Sequence, residues 1–244
     1  MSRHNPLFPT TLLAIALLGC PLLAQEEPPP LWSGSGELSF VSISGNTDGS
    51  SLGLGAELFW KPLPWEAELK AAFVTTETEG EKTAEALSAI LGVAREINPR
   101  MAGYGRANWL SNTFAGIDSR AFLEGGLAFK VIEEEAQELR LEAGAGYTLE
   151  NRVSGEELDF ATGRGGVVYR WKFSENAELA EDFSLMFNLE DADDFRIGNL
   201  ASISSRLTEL FSLKLSHALN FYNEPVDGFD DTDQILSAAI VAKW

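Results

Sequence analysis

The chain has 244 residues, with 18 Lys and Arg against 37 Asp and Glu, one Cys and two His. A formal charge of −19 argues against a nucleic-acid partner, because phosphate binding needs a basic surface. A single Cys makes neither an internal disulfide nor a thiolate zinc site, and two His leave little for His-based metal or acid–base chemistry, so no metal or cofactor is expected.

Residues 1–24 read as a secretory signal: Arg3 and His4 precede an apolar run, Thr11 to Leu18, with cleavage expected after Ala24. A second reading of the same stretch takes Leu17-Leu18-Gly19-Cys20, which resembles a lipoprotein box, as the site at which Cys20 is acylated. The apolar run is too short for a membrane-spanning helix, which needs ~20 apolar residues. Residues 25–31, with Gln25-Glu26-Glu27 and three prolines, form a stiff polar leader without a helix or strand signal. No comparable Pro-rich break follows, so residues 32–244 are expected to form one domain.

That domain alternates. In Gln137 to Asn151, Leu139, Leu141, Ala143, Ala145, Tyr147 and Leu149 share one parity, while Glu138, Arg140, Glu142, Gly144, Gly146 and Thr148 share the other. Phe211 to Phe221 and Thr232 to Trp244 repeat the pattern, which is the period of a strand with two unlike faces. Compact turn signals fall at Lys61–Pro64, Asn98–Arg100, Glu133–Ala136, Ser174–Asn176 and Thr208–Glu209. A second, more polar and longer set falls at Ser44–Ser50, Glu77–Lys82, Thr113–Asp118, Asn151–Asp159, Glu190–Asp194 and Asn223–Asp231.

The two sets delimit six hairpins, hence about twelve strands, each about 10–14 residues long. A tilted strand crosses a bilayer in ~9–11 residues, whereas strands of soluble sandwiches average ~5–6. The expected fold is therefore all-β: an antiparallel up-and-down transmembrane barrel of the bacterial outer membrane, in contact with its lipid. Trp60, Trp65, Trp171, Phe173 and Trp244 all fall beside compact turns or the C-terminus, where an aromatic girdle belongs. An aromatic residue ending an alternating last strand also resembles the signal read by the barrel-assembly machinery.

The polar parity is expected to line the lumen, with Arg106, Arg120, Glu124, Arg140, Glu142, Arg164 and Arg170 among its charged members. Mixed charges of this kind suit either a water-filled selective passage for small ions or solutes, or a ladder of ion pairs that plugs the barrel. The polar loops hold sixteen acids, among them Asp193, Asp194, Asp227 and Asp231, against Lys82 and Arg152 alone. Such a rim attracts cations, or serves as solvated charge.

The first strand and loop read Trp32-x-Gly34-x-Gly36-Glu37, then Gly45-Asn46-Thr47-Asp48, and near the end stands Asn223-Glu224-Pro225-x-x-Gly228. These segments resemble the YdiY-like domain-of-unknown-function family, often labelled salt-induced outer-membrane proteins. The resemblance implies an outer-membrane barrel of unsettled activity, tied by its label to salt or osmotic stress, and brings no catalytic residues. The physics of Gly45 to Gly49 alone is that of an Asx-type turn.

A contrasting reading is a lipid-modifying barrel enzyme built on His217, the one His beyond the signal. Its parity places it among Phe211, Leu213, Leu215 and Leu219, with the preceding strand expected to bring Leu200 near it and Asn199 and Ala201 beside that. A nucleophilic Ser must lie within hydrogen-bond reach of the imidazole, but Ser216 points to the other face and Ser205 sits far along its strand. No enzymatic activity is expected. A secreted or lipid-anchored soluble β-protein is the remaining alternative.

Overall fold

Strand pairing closes on itself. The computed structural model describes residues 31–43 and 49–244, and of residues 41–43 only the backbone. The expected signal, Cys20, the leader up to Pro30 and the Gly45-Asn46-Thr47-Asp48 loop lie outside the described residues. Twelve strands follow in order: β1 (Trp32–Ile43), β2 (Gly49–Trp60), β3 (Trp65–Thr78), β4 (Glu81–Asn98), β5 (Met101–Asn112), β6 (Ile117–Glu133), β7 (Gln137–Arg152), β8 (Glu157–Lys172), β9 (Ala177–Asn188), β10 (Phe195–Arg206), β11 (Phe211–Tyr222) and β12 (Thr232–Lys243). Each pairs antiparallel with its sequence neighbours, and β1 pairs with β12 to make a closed barrel. A 3-10 turn, Thr113–Ala115, interrupts the β5–β6 connection.

Closure is what lipid demands, because a spanning strand must find backbone partners on both sides. Twelve residues at a rise of ~3.3 Å, tilted by ~40°, cover ~30 Å, the thickness of a hydrocarbon layer. The apolar parity faces outward, with Leu38, Leu54, Leu69, Leu91, Leu123, Leu141 and Leu215 all exposed. Trp32, Trp60, Trp65, Trp171, Phe173 and Trp244 stand exposed at the end of the barrel that holds Trp32 and Trp244, and the Trp32 and Trp60 rings lie 5.8 Å apart.

The connections at that terminal end run two to four residues, as expected. Those at the opposite end run two to nine residues, so most are not the long loops the sequence suggested. The strands extend instead. β4, β6, β7 and β8 reach 16 to 18 residues and take in Glu81, Asp118, Glu157 and Asp159. Past the apolar layer both faces meet water, so polar residues keep the ladder without any alternation to mark where it ends. The β3–β4 connection is Glu79-Gly80 alone, both at positive φ, the geometry of a tight type I′ hairpin.

Candidate functional site: a half-filled lumen

Alternation fixes which side chains meet inside. The register runs Glu68–Gly92–Arg106–Glu124 across β3, β4, β5 and β6, and all of these positions face inward. Gly92 leaves a gap in that row. A Cβ there would sit 2.8 Å from Glu68 Cγ, so only glycine lets Glu68 lean across β4 toward Arg106. Arg106 meets Glu68 at 3.4 Å, Glu124 at 3.1 Å and Glu142 at 3.2 Å.

Arg164 reaches Glu142 at 2.8 Å and Glu124 at 3.8 Å, and Tyr104 donates its hydroxyl to Glu124 at 3.4 Å. Arg140 lies 3.3 Å from Glu142, within ion-pair reach though its Nε has no hydrogen-bond partner. Three arginines and three glutamates from β3, β5, β6, β7 and β8 thus form one layer, which Lys70 joins through Glu68 at 3.2 Å. Arg170 stands apart, forked onto both oxygens of Asp182 at 2.9 and 2.7 Å.

A second layer lies toward the loop end. Glu150 accepts from Arg120 at 2.6 Å, Arg196 at 2.8 Å and Arg152 at 3.0 Å, and Asp194 holds the Nε of Arg196 at 3.1 Å. Asp194, expected among the solvated loop acids, is buried, because the strand end turns it inward onto Arg196. The Arg120 guanidinium lies 5.3 Å from the Tyr222 ring, which β11 sends from nearly the opposite side of the ring of strands. Glu150 was missed by the sequence reading, although it continues the parity of Glu138, Arg140, Glu142 and Thr148.

The mouth at this end is covered. Residues 223–231, between β11 and β12, reach the β5–β6 connection half a ring away: Val226 is buried, and a Cβ on Gly116 would lie 2.7 Å from Val226 Cβ. Gly116, at φ +79°, satisfies both a left-handed turn and this close approach. Asn223 anchors the loop by donating to Asp193 O at 2.8 Å.

The wall formed by β9 to β12 is different. Its inward positions include Ser184, Ser202, Ser204, Ser212, Ser216 and Ser237, with Lys214 paired to Glu37 at 2.8 Å. The row Asp182–Leu200–Ala218–Ile235 also faces inward, yet Leu200 is 39% and Ile235 40% exposed, so open space lies in front of them. At the terminal end a cavity of about 240 Å³ is lined by Glu66, Glu68, Lys70, Arg106, Arg140 and Arg170 among others.

His217 lies on the outer face opposite Ala201, one of the residues expected around it, and opposite Leu236 on β12. Its Nε2 stands 3.1 Å from Gln234 Oε1, and no serine hydroxyl hydrogen-bonds it among the described residues.

Three comparisons bear on this barrel. The family described as "Protein of unknown function, DUF481" matches residues 36–244. The "Uncharacterized protein YdiY" of Escherichia coli strain K12 is 24% identical over 201 residues, covering 80% of this chain and 75% of that one. Among solved structures, an outer membrane channel from Pseudomonas putida F1 superposes with a TM-score of 0.54 at 10% identity, covering 91% of this chain and 98% of that one. The last likeness shows a shared barrel fold. With the match running from the first strand to the final residue, the chain belongs to the DUF481 family of proteins of unknown function.

Proposed function

We propose that this protein is a narrow, passive, non-catalytic conduit for small solutes in the bacterial outer membrane. The observation that carries this reading is the uneven lumen: ion-paired layers, built mainly from β3 to β8 and joined by Arg196 of β10, fill one side, while Leu200 and Ile235 stand exposed on the inner face of the β9–β12 wall. A barrel packed to a dry core would bury Leu200 and Ile235. The charged cavity at the terminal end supplies an entrance. Membrane placement follows from the outward leucines and the exposed aromatics at one end. Trp244, at the end of the last strand, is the feature that the barrel-assembly machinery would read.

Single-channel recording of the refolded barrel in a planar bilayer tests this. Discrete openings, smaller than those of an unobstructed barrel of equal strand number, are expected. Silence from a barrel shown to be folded by its shifted migration on unboiled gels would remove the conduit reading and leave a filled scaffold.

A further inference from the structure

The ring closes through an incomplete seam. β1 and β12 pair at Ser35–Lys243, Gly36–Ala242, Glu37–Val241 and Leu38–Ile240, with Gly34 and Trp244 exchanging both backbone hydrogen bonds at 2.9 and 3.0 Å. There the ladder stops. Ser39 and Phe40 keep their partners on β2, and Ala238 and Ala239 keep theirs on β11, but among the described residues none pairs across the seam. The other interfaces of the barrel pair at eleven to fifteen positions each.

The gap is costly where it stands. Gly34 and Trp244 are a hydrogen-bonded pair, so by the alternation of an antiparallel ladder the amides of Phe40 and Ala238 point across the opening. A bare amide in hydrocarbon is strongly unfavourable, so the opening is tolerable only where lumen water reaches it.

Its surroundings suit a route. The gap lies at the end where residues 223–231 cover the axial mouth. Behind it stands the row of Leu200, Ala218 and Ile235, of which Leu200 and Ile235 are exposed to the lumen, with Asp233 as the charged group at its margin and Ala239 buried beside the last pair. In front, Phe40 and Leu236 are exposed on the outer face. Directly below the last pair, small residues hollow that face into an apolar groove of about 500 Å³ bordered by Gly36, Leu38, Leu54, Phe73 and Ile240.

We propose that the unpaired stretch between β1 and β12 is a side portal through which small uncharged apolar solutes pass between the lumen and the membrane. Residues 223–231 narrow the axial exit and the lateral opening is bordered by apolar side chains, so ions keep the axial route while a solute of this class meets its smallest barrier sideways. The inference rests on the lumen being passable, as proposed above.

The test uses Gram-negative cells producing the full chain, with the fluorescent hydrocarbon-like amine N-phenyl-1-naphthylamine as probe. In Ser39→Cys/Ala239→Cys the two thiols face each other where the next ladder pair would form. Uptake is expected to rise severalfold with the protein, fall to background when the pair is oxidised, and return on reduction, with bilayer conductance unchanged throughout. Uptake at background despite a folded barrel in the outer membrane would overturn the portal, as would uptake that survives cross-linking. Loss of conductance together with uptake would also overturn it, by showing that the cross-link obstructs the lumen itself. Conductance absent from the untreated barrel would instead remove the conduit reading. Amide exchange provides a check independent of the disulfide: Phe40 and Ala238 are expected to exchange far faster than Leu38 and Ile240, and equal protection would mean a closed seam.

Discussion

Glu150 is 2% exposed and serves three guanidinium groups, those of Arg120, Arg152 and Arg196. Removing a buried charge that balances others costs more than the pair contributes, because the partners stay behind without solvent or counter-charge. Glu150→Ala is therefore expected to destabilise the barrel by ~3–5 kcal/mol, read as a lower urea midpoint for loss of the shifted gel band. Glu150→Gln keeps two polar atoms at the site and is expected to cost less. The pair Lys130–Glu133, at 2.5 Å but exposed, supplies the contrast: Glu133→Ala is expected to cost no more than ~0.5 kcal/mol by the same measurement. Equal effects at Glu150 and Glu133 would mean that water fills the second layer and screens it.

The segment 223–231 is the element that decides access from the loop end. Gly116 at φ +79° has Val226 and Phe229 within 2.7 and 2.9 Å of the place a Cβ would take, so Gly116→Ala both strains the turn and pushes the covering loop away. Its single-channel conductance is expected to exceed that of the unaltered chain, and Val226→Ser, which loosens the loop without touching the turn, is expected to do the same. Unchanged conductance in both variants would show that the obstruction lies deeper, at the Arg120–Glu150–Arg196 layer. None of this was legible in the sequence, where residues 223–231 read as one polar loop among several. The strands were legible, because a lipid face and a watery face select different residues at every second position. Partners and ends were not. Alternation is the same for any even shift of register, so it puts His217 on the outer face without singling out Ala201 as its partner. It also fades where both faces are wet, which is why Glu150 was left out and why Glu157 and Asp159 were read as loop. The short β1–β12 ladder is not read from the sequence: the apolar parity of β1 switches at Phe40-Val41, near where the strands part, but a lapse in alternation reports a face and not a missing partner.

For the whole molecule, charge is distributed by end. The loop end exposes Glu79, Glu81, Asp118, Glu156, Glu157, Glu190, Asp191, Asp193, Glu224, Asp227, Asp230 and Asp231. The two bases once set against these acids are engaged, Lys82 with Glu85 at 2.5 Å and Arg152 with Glu150 and Glu156 at 3.0 and 2.8 Å. With a net charge of −19 for the chain, the potential above this mouth is negative and gathers cations. Toward the terminal end the inward face carries Lys70, Arg140 and Arg170, so ions crossing the lumen meet opposite fields in turn. Entry is controlled by long-range attraction and passage by close ion pairs, and salt separates the two. At ~0.01 M the screening length is ~30 Å and the acidic rim acts on the whole mouth, whereas at ~1 M it is ~3 Å and only contacts matter. Reversal potentials under a salt gradient are therefore expected to show cation preference at low ionic strength that fades as both baths are raised toward ~1 M. Asp227→Asn, Asp230→Asn and Asp231→Asn together, all on the covering loop, are expected to weaken that preference without changing conductance at high salt. Preference that persists undiminished at ~1 M would place selectivity in the Arg–Glu layers of the lumen rather than in the rim.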